Sequence, residues 1–100
     1  PPAVFDEDGF VVDTQSWSVD LAEDIAWLEG VADLGAKHWE IIHLVRTRYF
    51  TLGALPVMGV VCMAAHLEPL AAHRMFSSCR SLWRIAGLPN PGEEAKAYMN

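Results

Sequence analysis

One hundred residues, 52% of them hydrophobic and 20% charged, are enough for one compact domain with a core and too few for two. Seven Lys and Arg against thirteen Asp and Glu leave a net charge of −6, which argues against a chain-wide nucleic-acid footprint and a general binder of anionic membranes. The sum hides a split: residues 1–40 hold ten acids and one base, Lys37, whereas residues 41–92 hold five Arg and one acid, Glu68.

At the front, Val4-Phe5, then Asp6-Glu7-Asp8-Gly9, then Phe10-Val11-Val12 predict two short strands around a turn, with Gly9 free to take a positive φ. Pro1 to Asp8 is proline-led and then acidic, so no secretory leader is expected there. Ser16 or Ser18 then caps a helix in which Leu21, Ile25 and Leu28 recur at helical spacing, acids favour its positive end, and Gly30 stops it. A longer helix, about Ala36 to Leu52, carries Trp39, Ile42, Val45 and Tyr49 on one stripe and ends at Gly53.

Between Arg48 and His66 lie seventeen uncharged residues. Gly53, Pro56 and Gly59 interrupt them, and a membrane span needs roughly 20 mostly apolar residues, so a buried helix over Val57 to Leu67 is predicted instead. Pro69 opens a short helix toward Met75, and Ser77 or Ser78 caps a last one from about Cys79 to Ala86, ended by Gly87. Leu88-Pro89-Asn90-Pro91-Gly92 cannot continue it, which leaves Glu93 to Asn100 as a polar, mobile arm. The expectation is an α+β domain over residues 1–91: a β-hairpin packed on an array of about five helices, followed by a flexible C-terminal arm over 92–100.

Few of the possible chemical constellations survive inspection. Cys62, His66, His73 and Cys79 are metal-ligand types, but their spacing matches no zinc ribbon or finger, and no metal is expected. There is no Gly-x-Ser-x-Gly, Cys-x-x-Cys or phosphate-cradling glycine loop, so neither an enzyme active site nor a cofactor is identified. The carboxylates of Asp6-Glu7-Asp8 and Glu23-Asp24 read as solvated charge and macrodipole complement. Two cysteines are too few for a disulfide-stapled secreted fold, and a reducing cytoplasm is expected. Arg80 and Arg84, four apart on the closing helix, form with Trp83 a candidate partner-binding face.

Particular strings carry more information than periodicity. Phe5-Asp6-Glu7-Asp8-Gly9-Phe10-Val11, then Trp17, then Lys37-His38-Trp39-Glu40-Ile41-Ile42 running to Tyr49, then Leu55-Pro56, then Arg84-Ile85-Ala86-Gly87-Leu88-Pro89-Asn90-Pro91, resemble in order and spacing the DsrC/TusE family of sulfur-relay proteins, which includes the gamma subunit of dissimilatory sulfite reductase. The resemblance spans residues 4–91. It implies a small cytoplasmic protein with a short meander sheet on an array of helices and a mobile C-terminal arm. It also implies a thiol near the chain end that carries sulfur as a persulfide, with a second cysteine before the Ile-Ala-Gly-Leu-Pro segment in one branch.

Against that pattern, Trp83 stands at the upstream cysteine position and Glu94 where the terminal cysteine is placed. The expectation drawn is a family member without the carrier thiols, acting as a non-catalytic binding or regulatory partner of a sulfur-transfer or sulfite-reductase complex. The alternative is a sulfur carrier using Cys79 or Cys62. Cys79 lies one helical turn before Trp83, and its neighbour Arg80 and the helix N-terminus are expected to lower its pKa. A third reading, a nucleic-acid-binding regulator, rests only on the local excess of Arg.

Overall fold

In the computed structural model, which describes residues 3–31 and 33–99, six α-helices follow a front turn: α1 (Val19–Leu28), α2 (Ala36–Leu52), α3 (Met58–Ala64), α4 (Ala71–Phe76), α5 (Cys79–Ile85) and α6 (Glu93–Ala97). Ser18 is the cap of α1, its Oγ accepting the Leu21 N–H at 3.1 Å. Gly53 ends α2 in the left-handed region at φ +69°, which glycine adopts without steric cost. Ser78 caps α5 by accepting the Ser81 N–H at 3.0 Å.

The predicted strands do not form, and the α+β expectation is corrected to an all-helical fold. Among the described residues only one antiparallel bridge exists, Phe5 with Val11. Two backbone bonds flank it, Val12 N–H to the Val4 carbonyl at 2.9 Å and Asp6 N–H to the Phe10 carbonyl at 2.8 Å, and the Asp6 carboxylate braces the turn between them, its Oδ1 accepting the N–H groups of Asp8 and Phe10 at 3.0 and 2.9 Å. Val4 and Val12 stay exposed, so no apolar pair supports a second rung, and at Asp13 the chain enters a 3₁₀ turn over Thr14–Ser16. Phe10 alone enters the core, while Phe5 remains exposed.

The flexible arm is corrected as well. Residues 93–97 are helical, and both Lys96 and Met99 are buried. The helical periodicity of α1 also differs in detail, because Leu28 is exposed and the buried stripe is Ala22, Ile25 and Ala26. Pro1, Pro2, Ala32 and Asn100 lie outside the described residues.

Helix α5 is the central strut, packed against α1 and α4, while α2 packs on α3 and α4. Its Leu82, Trp83 and Ile85 are buried with Phe10, Ile25, Ile42, Val45, Phe76 and Leu88. The end of α5 is buried too, which would orphan its last carbonyls. The Trp17 indole N–H donates to the Ile85 carbonyl at 2.9 Å, and Arg46 Nη1 donates to the Ala86 carbonyl at 2.6 Å. The two donors stack, with the Arg46 guanidinium 3.8 Å from the Trp17 ring centroid.

Gly87 terminates α5 at φ +69°, directly beneath Trp17. A Cβ at this position would lie 2.1 Å from Trp17 Cδ1. Gly87→Ala is therefore expected to destabilise the fold by about 3 kcal/mol, combining left-handed strain with overpacking. Urea unfolding measures it, and a loss well under about 1 kcal/mol would show that Trp17 moves aside freely.

Candidate functional site

Cys79 opens α5, set there by the Ser78 cap and by a sharp turn in which Ser77 takes a positive φ of 70°. It is half-buried, whereas Cys62 on α3 is completely buried, and both thiols are free. Cys79 lines an apolar cavity of about 230 Å³. Leu82 and Trp83 of α5 form one wall, Leu55 and Pro56 of the α2–α3 connection another, and Tyr98 and Met99 of the tail a third.

The expected lowering of the Cys79 pKa is corrected. Burial, and then the nearby Cys62 thiol, push it above the ordinary value. Arg80 does not offset this, because its guanidinium is committed elsewhere. Arg80 Nη2 donates to the Lys96 carbonyl at 2.7 Å and lines a separate, polar cavity of about 260 Å³ with Asp8, Arg84, Glu93 and Lys96. Helix α5 thus has an apolar flank bearing a thiol and a polar flank bearing two arginines, and the tail spans both.

The other sequence candidates fall within the same structure. Trp83 is 2% exposed, its indole N–H donating to the Pro89 carbonyl at 2.8 Å. Arg84 is held on one side by Glu29 at 3.0 Å and on the other by the Asp8 carbonyl at 2.6 Å, with Glu29 also accepting from Ser81 Oγ at 2.7 Å. Arg84 therefore braces α5 against α1 and the front turn. Arg80, Trp83 and Arg84 do belong to one helix turn, but Arg80 Nη2, the Trp83 indole N–H and both Arg84 Nη atoms are taken up by partners within the fold.

Sequence reasoning missed the partners of the tail. Lys96 Nζ donates to Asp8 Oδ2 at 2.5 Å and to Glu93 Oε1 at 2.8 Å, and Asn90 donates to both Asp6 and Asp8. Only the Glu93–Lys96 spacing was available as a signal, since Asp8 is remote in the chain. The hydrogen bonds from Lys96 and Asn90 hold the Asp8 carboxyl below the usual carboxylate range. Lys96, hydrogen-bonded by Asp8 and Glu93, is raised in turn. Among the described residues no group of three His, Cys, Asp or Glu is placed to hold a metal, and no helix is long and apolar enough to cross a membrane.

Comparison with known proteins decides the family. The family model described as "DsrC like protein" matches residues 2–93. The chain belongs to the DsrC-like family. It is 32% identical to the sulfurtransferase TusE of Salmonella choleraesuis over 95 residues, covering 86% of each chain. It is 31% identical to the sulfurtransferase TusE homolog of Haemophilus influenzae over 98 residues, covering 88% of each. Its fold superposes on the oxidized gamma subunit of dissimilatory sulfite reductase from Archaeoglobus fulgidus with a TM-score of 0.80 at 25% identity, covering 91% of this chain and 90% of the other.

Membership makes the chain a sulfur-relay protein and not an enzyme. It also corrects the expectation of a non-catalytic binding partner without carrier thiols. Two free cysteines are present, one of them on a surface cavity, and similarity to proteins named sulfurtransferases favours the carrier alternative.

Because thiolate, not thiol, is the nucleophile, the raised pKa has a direct readout. Alkylation of Cys79 by iodoacetamide is expected to be slow at neutral pH and to keep accelerating above pH 9.0, the ordinary value for a thiol in the open. A rate that levels off below pH 9.0 would mean that the thiol is not desolvated.

Proposed function

We propose that this DsrC-like protein is a sulfur carrier in a sulfurtransferase relay, with Cys79 as the thiol that receives and passes on sulfane sulfur. The observation that carries the reading is the contrast between the two thiols: Cys79 reaches a cavity at the surface, and Cys62 is sealed in the core. In this reading the thiol stands on α5, one turn before Trp83, the residue at the upstream cysteine position, and not on the tail. Both side chains line the same cavity, as expected for residues four apart on one helix face.

The transfer is a thiol–persulfide exchange. The Cys79 thiolate attacks the terminal sulfur of a donor persulfide, R–S–SH. A new S–S bond forms at Cys79, the donor S–S bond breaks, and the donor leaves as the thiolate R–S⁻, so the product is Cys79–S–SH with charge and sulfur conserved. Handing the sulfur to an acceptor thiolate repeats the step in the opposite sense. No oxidant or reductant is consumed.

The partners are proteins of a sulfur-transfer or sulfite-reductase-type complex, which the names of the relatives support. Arg80, next to Cys79 and lining the polar cavity, is the basic side chain we assign to partner contact, with Trp83 and Arg84 fixing α5 behind it. We assign the protein to the cytoplasm, where a free thiol pair stays reduced, and assign it neither a nucleic-acid nor a small-molecule partner.

Incubation with a persulfide-loaded sulfurtransferase, followed by intact-mass and peptide mass spectrometry, tests the reading. Expected is a gain of one sulfur atom on Cys79, abolished by Cys79→Ser and retained in Cys62→Ser. Sulfur on Cys62, or none on either thiol, overturns it.

A further inference from the structure

We infer that the outward face of α1 is a docking surface for a basic segment of a partner protein, with Trp27 as its apolar anchor and Glu23 and Asp24 as the groups that pair with Arg or Lys of that segment. The surface stands on its own geometry and does not depend on which thiol carries sulfur.

Helical spacing fixes what this face presents. Ala22, Ile25 and Ala26 are buried, so the opposite side of α1 carries two neighbouring rows, Val19-Glu23-Trp27 and Asp20-Asp24-Leu28, each at four-residue intervals. Trp27 and Leu28 are 73% and 74% exposed, and Val19 is exposed as well. The other tryptophans behave differently: Trp83 is sealed in the core, and Trp17 and Trp39 pack against it. An indole left in water beside a leucine has the character of an interface anchor, the role in which tryptophan is most enriched.

The carboxylates around the indole are not explained by the helix they stand on. Only Asp20 lies in the first turn, where it complements the helix dipole; Glu23 and Asp24 lie beyond it. Asp20 and Asp24, four apart, repel one another. Helix α1 carries no Lys or Arg, and among the described residues none of these three acids is ion-paired. The face thus gives up helix stability to keep negative charge beside an exposed ring. A cationic partner relieves both features at once, since Arg or Lys pairs with the carboxylates and also rests on the indole face.

A second copy of this chain does not supply those cations. Lys37, Arg74, Arg84 and Lys96 are already ion-paired, and Arg46 and Arg80 hold backbone carbonyls, which among the described residues leaves Arg48, its Nε buried. Negative charge equally disfavours nucleic acid and anionic lipid as occupants. No α1 residue lines the cavity at Cys79, and the buried side of α1 packs on α5. A partner held on the outward face therefore does not occupy the cavity of the thiol.

Calorimetric titration of the full chain at low salt tests the surface with an amidated helical peptide built only of Leu, Arg and Ala. A Gln-for-Arg version and a Leu-free Arg/Ala version serve as controls, and both are expected to bind roughly tenfold more weakly than the parent peptide. Trp27→Ala and the double variant Glu23→Gln/Asp24→Asn are each expected to weaken the parent peptide by roughly tenfold. Glu7→Gln/Glu94→Gln, which removes the same charge from two exposed acids off this face, is expected to change its affinity little. The Glu23/Asp24 double variant is also expected to melt about 1–2 °C higher, because the Asp20–Asp24 repulsion is gone, so its lost binding is not lost folding. Equal weakening by the Glu7/Glu94 pair, an unchanged affinity in Trp27→Ala, or no binding by any peptide overturns the surface. Self-association of the chain without peptide, abolished by Trp27→Ala, overturns the basic partner in favour of a second copy.

Discussion

The fold depends on satisfying the buried end of α5. A helix that stops inside a protein leaves carbonyls without intrahelical donors, and each buried, unpaired one costs about 1–3 kcal/mol. Here the Ile85 and Ala86 carbonyls receive Trp17 and Arg46, two residues far apart in the chain that stack on one another. Burial lowers the Arg46 pKa, yet a guanidinium keeps its charge in any protein setting, so the site gains a charged donor that does not switch off. Gly87 completes the arrangement by turning the chain where no Cβ fits beneath the indole. The long helix α2 and the front of the chain are thereby tied to the element that carries the thiol.

That anchoring gives α5 a fixed orientation with two unlike flanks. Arg84 is braced by Glu29 and the Asp8 carbonyl, so the polar flank is a structural ion network more than a free basic surface. The apolar flank is where a desolvated thiol can be kept. Low dielectric around Cys79 penalises the thiolate, which keeps the resting thiol unreactive, and the same burial is supplied in part by the tail.

Much of the helical plan was legible in local residues. Ser18, Gly53 and Ser78 act where capping chemistry places them, fixing the start of α1, the end of α2 and the start of α5. The front turn was misread because alternation of apolar residues around Asp6-Glu7-Asp8-Gly9 is compatible with a hairpin, whereas the pairing stops at the single Phe5–Val11 bridge, beyond which Val4 and Val12 lie exposed with nothing to pack on. The arm was misread because Glu93 to Met99 carries too little apolar surface to predict docking. Lys96 is buried on account of Asp8, whose position beside it no local pattern encodes.

From sequence alone came the limits of α2 and the starts of α1 and α5, the family strings and the presence of two thiols, because capping, glycine stops and motif order are short-range properties of the chain. Only the tertiary structure decided which thiol meets the surface, which way its pKa moves, and that the tail lines the same cavity. Burial and electrostatics at Cys79 are set by Leu55, Cys62, Tyr98 and Met99 converging from three separate segments, and that convergence exists only once α5 is locked in place by Trp17 and Arg46.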